Sequence, residues 1–450
     1  MNSKTLSIKE VLVIGLMLFA LFLGAGNLIF PPALGQQAGE HLWPAILGFL
    51  ITGVGLPLLG VVAIGKSGND LQGLANRVNP VFSIIFTFVM YLALGPFFGI
   101  PRTGTVAYEI GVLPFLPESV GKYGVALFIY TIVFFGVTYW LSLNPSKLVD
   151  RIGKLLTPML IIILAMLLIK AFIDPMGVAH APQGDYVEGA FFKGFLEGYL
   201  TMDTIAALVF GIVVINAIKD KGVTDRSEIA KVSIQAGVIA ALGLALVYVS
   251  LGYLGATSID AIGMAENGGA ILSGSANYLY GYFGNVVLGL AITFACLTTS
   301  VGLVSSCSQF FEKVLPISYK TSVLIITIFS AIIANVGLTE LIRFSIPVLV
   351  AIYPLAIVLI ALSFLHNLFK GRAEVYGYSL IFTGVVSIVD GLKTANLFVD
   401  TLNNLFGFLP LFDLGVGWLV PAIIGAVVGF IISSIKTPHP SSQLEEANNN

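Results

Sequence analysis

Phe19 to Gly35, FALFLGAGNLIFPPALG, is the stretch that decides the fold. It lies in an apolar run that begins near Ile8, and such a run reads as one membrane helix. Gly24, Gly26 and Asn27 interrupt it at the centre, and Pro31 and Pro32 follow. Glycine is poor in helix interiors, asparagine prefers caps, and proline is harmless only in a first turn. The stretch therefore predicts two half-helices. One ends near Leu23; the next starts near Leu28, with Asn27 as a candidate cap. Backbone groups freed at the break cannot face lipid, where each unsatisfied N–H or C=O is costly. They must line a cavity inside the protein. The first half turns carbonyls and a negative dipole end towards it, the second N–H groups and a positive end. That suits a cation beside a carboxylate at mid-membrane depth. The structural alternative is a glycine-rich packing face with a proline kink.

The surrounding composition fits a membrane protein. Of 450 residues, 57% are hydrophobic and 10% charged, against about 25% charged in soluble domains. A net charge of −2 gives no nucleic-acid signal. Cys296 and Cys307 are too far apart along one predicted helix to bridge each other, so there is no disulfide framework. Lys4 and Lys9 precede an apolar run too long for a signal peptide, and no cleavage site follows.

Runs near or above the roughly 20 residues that cross a bilayer fall at 8–36, 42–65, 80–108, 120–141, 153–173, 189–218, 229–255, 277–311, 321–336, 340–366, 375–391 and 414–435. These are twelve predicted spans of an all-α polytopic membrane protein. With the N-terminus inside and spans alternating, the inner segments hold Lys4, Lys9, Lys66, Arg77, Lys147, Arg151, Lys154, Lys219, Lys221, Arg226, Lys231, Lys313, Lys320, Lys370, Arg372 and Lys436. Those are sixteen of the 22 Lys and Arg, so the positive-inside rule puts both termini in the cytoplasm. The loop at 256–276 is expected to carry short helices over the outer mouth. The polar tail 437–450 is expected to be disordered.

The sixth span repeats the anomaly of the first. In Phe195 to Gly211, FLEGYLTMDTIAALVFG, the helix is interrupted by Gly198, Thr201, Asp203 and Thr204. Broken segments at corresponding positions of two halves point to a binding site. Spans 1 and 6 are five apart, an odd number, so the second copy is inverted. Spans 1–5 and 6–10 form the predicted repeats, with spans 11 and 12 appended.

Three features carry candidate chemistry. On span 8, Ala295, Thr298 and Thr299 share a helix face. Two hydroxyls and a carbonyl there could complete the oxygen shell of a small cation, extending to sodium the oxygen preference of hard cations; from the spacing alone, a packing face with back-bonded hydroxyls is the favoured reading. Asp203 lies nearest mid-membrane, either capping the second half of span 6 or facing the cavity to hold an ammonium or cation. The carbonyls of Tyr199, Leu200 and Thr201 are alternative ammonium acceptors. On span 3, Tyr91, Phe97 and Phe98 are candidate pocket walls, and Arg102 with Glu109, at i and i+7, reads as an ion pair near the outer surface. No His pair has metal-ligand spacing, and no hydrolase elbow or phosphate loop occurs, so an enzyme lacks its parts.

The motifs GAGNLIFPPALG and EGYLTMDTIAALVFG, with the twelve-span length, resemble the bacterial branched-chain amino acid:cation symporters along the whole chain. That resemblance implies the LeuT-type fold of five plus five inverted repeats: 1–173, 189–366, then 375–435 with spans 11 and 12. It implies sodium-coupled import of leucine, isoleucine and valine across the bacterial plasma membrane, with Na⁺ as coupling ion and no cofactor. Gly24, Ala25, Gly26 and Asn27 then match the break whose N–H groups hold the substrate carboxylate. Ala20 and Leu23 match carbonyl ligands of the sodium site, and Ala295, Thr298 and Thr299 the span-8 pattern that completes it. A proton-coupled or differently selective carrier of the same fold, and a channel or receptor, are the alternatives. A channel would need a continuous polar lining, whereas polar groups here gather at two breaks and one hydroxyl face.

Overall fold

A computed structural model describes residues 6–67, 70–117, 123–143 and 148–435, with backbone alone at 148–157, Ile212 and Arg226. The predicted tail 437–450 lies outside the described residues. Among the described residues the chain is helical throughout, with turns and short loops between helices. The first helix, α1 (Ile8–Phe22), opens on a capping box: the Ser7 hydroxyl accepts from the Glu10 N–H and the Glu10 carboxylate from the Ser7 N–H. It stops where predicted, because the Gly24 N–H turns to the Phe22 carbonyl and the Asn27 side chain instead of continuing the ladder.

The second half, α2 (Ala25–Ala38), starts three residues earlier than the sequence predicted. Gly24 is the cap, and Asn27 reaches back to it from the first turn. Pro31 and Pro32 therefore lie inside α2. They remove the ladder bonds to the Asn27 and Leu28 carbonyls, one turn back.

The chain continues through α3 (Leu42–Leu50) and α4 (Leu56–Ser67), joined by a wide turn at Ile51–Gly55. After α5 (Leu71–Ala75), a second wide turn, Ala93–Phe97, joins α6 (Pro80–Leu92) to α7 (Gly99–Gly111). Then come α8 (Val125–Ser142) and α9 (Leu148–Ile173). Helices α10 (Tyr186–Glu197) and α11 (Asp203–Asp220) flank a tight turn at Gly198–Thr201, and Met202 between them has φ 63. A methionine in the left-handed region is strained and holds only where its surroundings over-determine it. Here it lets α11 restart with fresh N–H groups.

The second half of the molecule comprises α12 (Arg226–Ala256), α13 (Ile259–Ile262), α14 (Gly268–Val314), α15 (Tyr319–Ala334) and α16 (Leu338–Phe364). It ends with α17 (Ala373–Thr394), α18 (Val399–Phe406) and α19 (Leu419–Ile435). A helix, whole or broken, stands in each predicted range. The loop at 256–276 does contain helix: α13, and the first part of α14 up to a kink at Gly281, φ 64. Seven helical stretches among the described residues are long and apolar enough to cross a membrane.

Glycine sets how closely these helices approach. A β-carbon at Gly35 of α2 would land on the Gly252 carbonyl of α12, and one at Gly255 on the Pro32 carbonyl. Gly48 of α3 meets α10 at Phe191 in the same way, and Gly194 answers at Ala45. Such backbone approach is how helices pack where lipid offers no hydrophobic drive. It ties the helices of span 1 to span 7 and of span 2 to span 6. Large apolar side chains such as Phe128, Ile132, Leu242 and Leu246 point outward, as a lipid-facing surface requires.

Candidate functional site at the helix breaks

The two breaks face each other. A β-carbon on Gly26 would lie 3.4 Å from the Thr201 carbonyl and 3.2 Å from Nη1 of Arg102. The start of α2 and the end of the α10 turn thus meet across the one residue without a side chain. The first-turn N–H groups of Ala25, Gly26 and Asn27 have no carbonyl one turn back, and they open on this point.

Asp203 is 3% exposed. Its carboxylate accepts from Nδ2 of Asn27 at 2.6 Å and from the Tyr248 hydroxyl at 2.8 Å. The Asn27 amide also donates to the Tyr248 oxygen. The carboxylate caps no backbone N–H: Met202 holds the cap position, and the Asp203 N–H itself donates to the Thr201 hydroxyl at 3.3 Å. Of the two readings open from sequence, the geometry gives the side chain that reaches from break to break. Neutral donors on two other helices hold it.

The three expected ammonium acceptors are not equally open. The Tyr199 carbonyl takes the Met202 N–H at 3.0 Å, and the Leu200 carbonyl takes Nη1 of Arg102. The Thr201 carbonyl faces Gly26.

Arg102 corrects the sequence reading. It is 1% exposed, not near a surface, and it does not pair with Glu109. Its guanidinium reaches the Leu200 carbonyl and the Ser345 hydroxyl, at 3.4 Å for the latter, and its Cζ lies 5.0 Å from the Phe30 ring centre. Glu109 instead accepts from Asn267 at 3.0 Å and from Tyr123 at 3.4 Å. A spacing of seven puts two residues on one face, but the heights differ by two turns, so each takes the partners at its own depth. Of the aromatics on span 3, Tyr91 stacks on Phe310 and Phe97 packs edge-on against Phe329; neither contacts the breaks.

Span 8 lies against the first break as predicted: Cγ2 of Thr299 is 3.8 Å from where a Gly24 β-carbon would sit. The hydroxyls of Thr298 and Thr299 both donate to the Ala295 carbonyl, at 2.8 and 3.0 Å. Each keeps oxygen lone pairs for a further partner. On the other side of the gap, Ala20 has lost its ladder donor, since the Gly24 N–H has turned to Phe22.

Tyr248, Ser345 and Tyr353 were not found from sequence. Tyr248 packs edge-on against Phe49, 5.3 Å between ring centres. Tyr353 stacks on Tyr199 at 4.5 Å, and its hydroxyl accepts from the Thr204 N–H. A buried tyrosine needs a partner for its hydroxyl, but nothing local in an apolar helix says which face is buried. Beyond Leu200 a vestibule of about 730 Å³ opens between α10, α16 and α17, lined by Leu196, Leu200, Ile346, Val350, Asp390 and Lys393 among others.

With this geometry in place, likeness to known proteins becomes decisive. The family model described as "Branched-chain amino acid transport protein" matches residues 7–436. The chain belongs to that family. It is 56% identical to the branched-chain amino acid permease BraB of Bacillus subtilis, covering 98% of this chain and 99% of the relative. It is 47% identical to the branched-chain amino acid transport system 2 carrier protein of Pseudomonas aeruginosa, covering 94% and 95%. Among solved structures, inward-facing Mhp1 superposes with TM-score 0.62 at 13% identity over 94% of this chain and 90% of that one. MhsT in complex with L-phenylalanine superposes with TM-score 0.56 at 16% identity over 96% and 99%. The fold is thus the LeuT-type transporter fold. The protein is a multi-pass membrane transporter of the branched-chain amino acid family and not an enzyme.

Proposed function

We propose that this transporter imports leucine, isoleucine and valine together with sodium, by alternating access, across the bacterial plasma membrane. It does so with twelve crossings and both termini cytoplasmic. The observation that carries the reading is the meeting of two helix breaks across Gly26, with the buried Asp203 carboxylate between them. The substrate lies between the breaks. Its carboxylate takes the N–H groups of Ala25, Gly26 and Asn27 and the positive end of α2. Its ammonium takes Asp203 and the Thr201 carbonyl. The sodium lies one step towards span 8, among the carbonyls of Ala20, Leu23 and Ala295 and the hydroxyls of Thr298 and Thr299. Family membership supports the substrate class, and the freed Ala20 carbonyl beside the span-8 hydroxyls supports the cation position. The two five-span repeats, 1–173 and 189–366, supply one break each.

Asp203 also supports a second reading, coupling to protons: a buried carboxylate held by neutral donors can carry a proton through the cycle. Reconstitution with radiolabelled leucine decides between them. A sodium gradient should drive uptake that is lost in sodium-free medium. Uptake driven equally by a pH gradient without sodium would transfer the coupling to the proton. Saturable counterflow of labelled leucine excludes a channel.

A further inference from the structure

Arg102 is a second buried charge at the same point, and no substrate contact has yet been given to it. It belongs to α7, outside both broken helices, yet its guanidinium enters the gap where the breaks meet. Its partners are all neutral: the Leu200 carbonyl, the Ser345 hydroxyl and the Phe30 ring face. Its Nε has none. Asp203 is likewise hydrogen-bonded by neutral groups, Asn27, Tyr248 and Thr201. Two buried opposite charges thus stand where the breaks meet, near enough to feel each other's field, yet each makes its hydrogen bonds to neutral groups and not to the other. Each is costly at this depth without a counter-charge. One small molecule satisfies both: a zwitterion with carboxylate and ammonium on the same carbon.

We infer that Arg102 is the residue that recognises the substrate carboxylate, and that it restricts the central site to α-amino acids bearing both charges. The inference rests on the proposed reading that the gap between the breaks is the substrate site. The guanidinium is a planar fork suited to a carboxylate. It points at the same place as the first-turn N–H groups of α2, since its Nη1 lies 3.2 Å from the Gly26 β-position. On binding, the fork exchanges its neutral acceptor, the Leu200 carbonyl, for the carboxylate. The carbonyl so released joins Asp203 and Thr201 as an acceptor for the ammonium. Selectivity follows, because a site built around two buried charges leaves one unpaired when a substrate lacks its counterpart.

The test is competition against labelled leucine on the purified, reconstituted transporter. The competitors are 3-methylbutylamine, which is leucine without its carboxylate, leucine amide and 4-methylpentanoate. In the unaltered protein each should bind at least about tenfold more weakly than leucine. Leucine amide binding as tightly as leucine would overturn the inference with no variant needed. In Arg102→Gln, leucine affinity should fall at least about tenfold while 3-methylbutylamine is unchanged or improved, so that the leucine-to-amine ratio collapses. Arg102→Lys, which keeps the charge but not the fork, should retain part of that ratio. A merely structural arginine would lower both ligands together and keep the ratio, which would overturn the inference. So would an Arg102→Gln protein that binds leucine normally but has altered sodium dependence, since the arginine would then be a tethered cation. If the unaltered protein binds no branched-chain amino acid at all, it is the underlying reading of the site that fails.

Discussion

At the scale of single residues, position in depth decides chemistry. Asp203 shows it. An aspartate at a helix start reads as a cap from sequence, but its carboxylate points away from the α11 backbone to Asn27 and Tyr248. Asp203→Asn keeps the volume and most of the hydrogen bonds and removes the charge. It should lower leucine affinity at least about tenfold in a correctly inserted protein, because the ammonium loses its counter-charge. Unchanged affinity in a binding assay would return Asp203 to a structural role. Thr298→Val and Thr299→Val each remove one oxygen at nearly constant volume, and each should raise the sodium concentration needed for half-maximal uptake. If both keep the original sodium dependence, span 8 is packing and its hydroxyls serve only Ala295. Asp203, Thr298 and Thr299 were legible in the sequence because polar residues are rare in apolar runs. Arg102 was visible too, but its partners were not. Its sequence neighbour Glu109 offered a counter-ion on the same face, and only the tertiary fold shows that Leu200 and Ser345 are nearer.

At the scale of elements, glycine does two different jobs, and substitutions should separate them. Gly26 lets the breaks approach: its β-position meets Arg102, Phe30 and Thr201 at 3.2–3.4 Å, so an added side chain needs a neighbour to give by a few tenths of an ångström. Gly26→Leu should insert, fold and retain a normal melting profile, yet bind no leucine, because its side chain fills the space the substrate needs. Normal leucine binding by that variant would remove the gap from the substrate pathway. Gly255 instead holds α12 against α2, and a β-carbon there falls on the Pro32 carbonyl. Overpacking of this kind costs about 1–3 kcal/mol, occasionally more, so Gly255→Leu should lower the melting temperature and the membrane yield. Equal yields for the two variants would contradict the packing. The breaks were legible because Gly, Asn and Pro act locally. The start of α2 was misplaced from Ala25 to Leu28 because Asn27 reads as a cap residue. It is in fact the reciprocal partner of a glycine cap, a role that leaves no signature of its own.

At the scale of the molecule, the glycine contacts of α2 with α12 and of α3 with α10 weld span 1 to span 7 and span 2 to span 6. Those four spans are the proposed moving body. The remaining helices meet that body mostly through side chains such as Arg102 and Thr299, with a backbone approach where Gly268 at the start of α14 meets the Ile29 carbonyl of α2. Side-chain contacts can exchange partners, whereas backbone contacts cannot slide without a clash, so alternating access should move the first body against the rest. The apolar helical ranges were legible because length and apolarity are summed over many residues. The expected inversion of the repeats rests in the sequence only on the positions of the breaks. The vestibule was not, because its wall joins α10, α16 and α17, which are far apart in sequence. It gives a test of both motion and orientation. Cys296 and Cys307 are buried, so a single added cysteine reports with little background. Leu196 lines the vestibule near the end of α10, the helix whose start the positive-inside count places outside the cell. Leu196→Cys should react with a membrane-impermeant maleimide added to intact cells, and leucine with sodium should change that rate at least severalfold. Labelling from the cytoplasmic side alone would invert the topology. A rate indifferent to leucine and sodium would leave the vestibule outside the transport cycle and the two bodies without relative motion at that end.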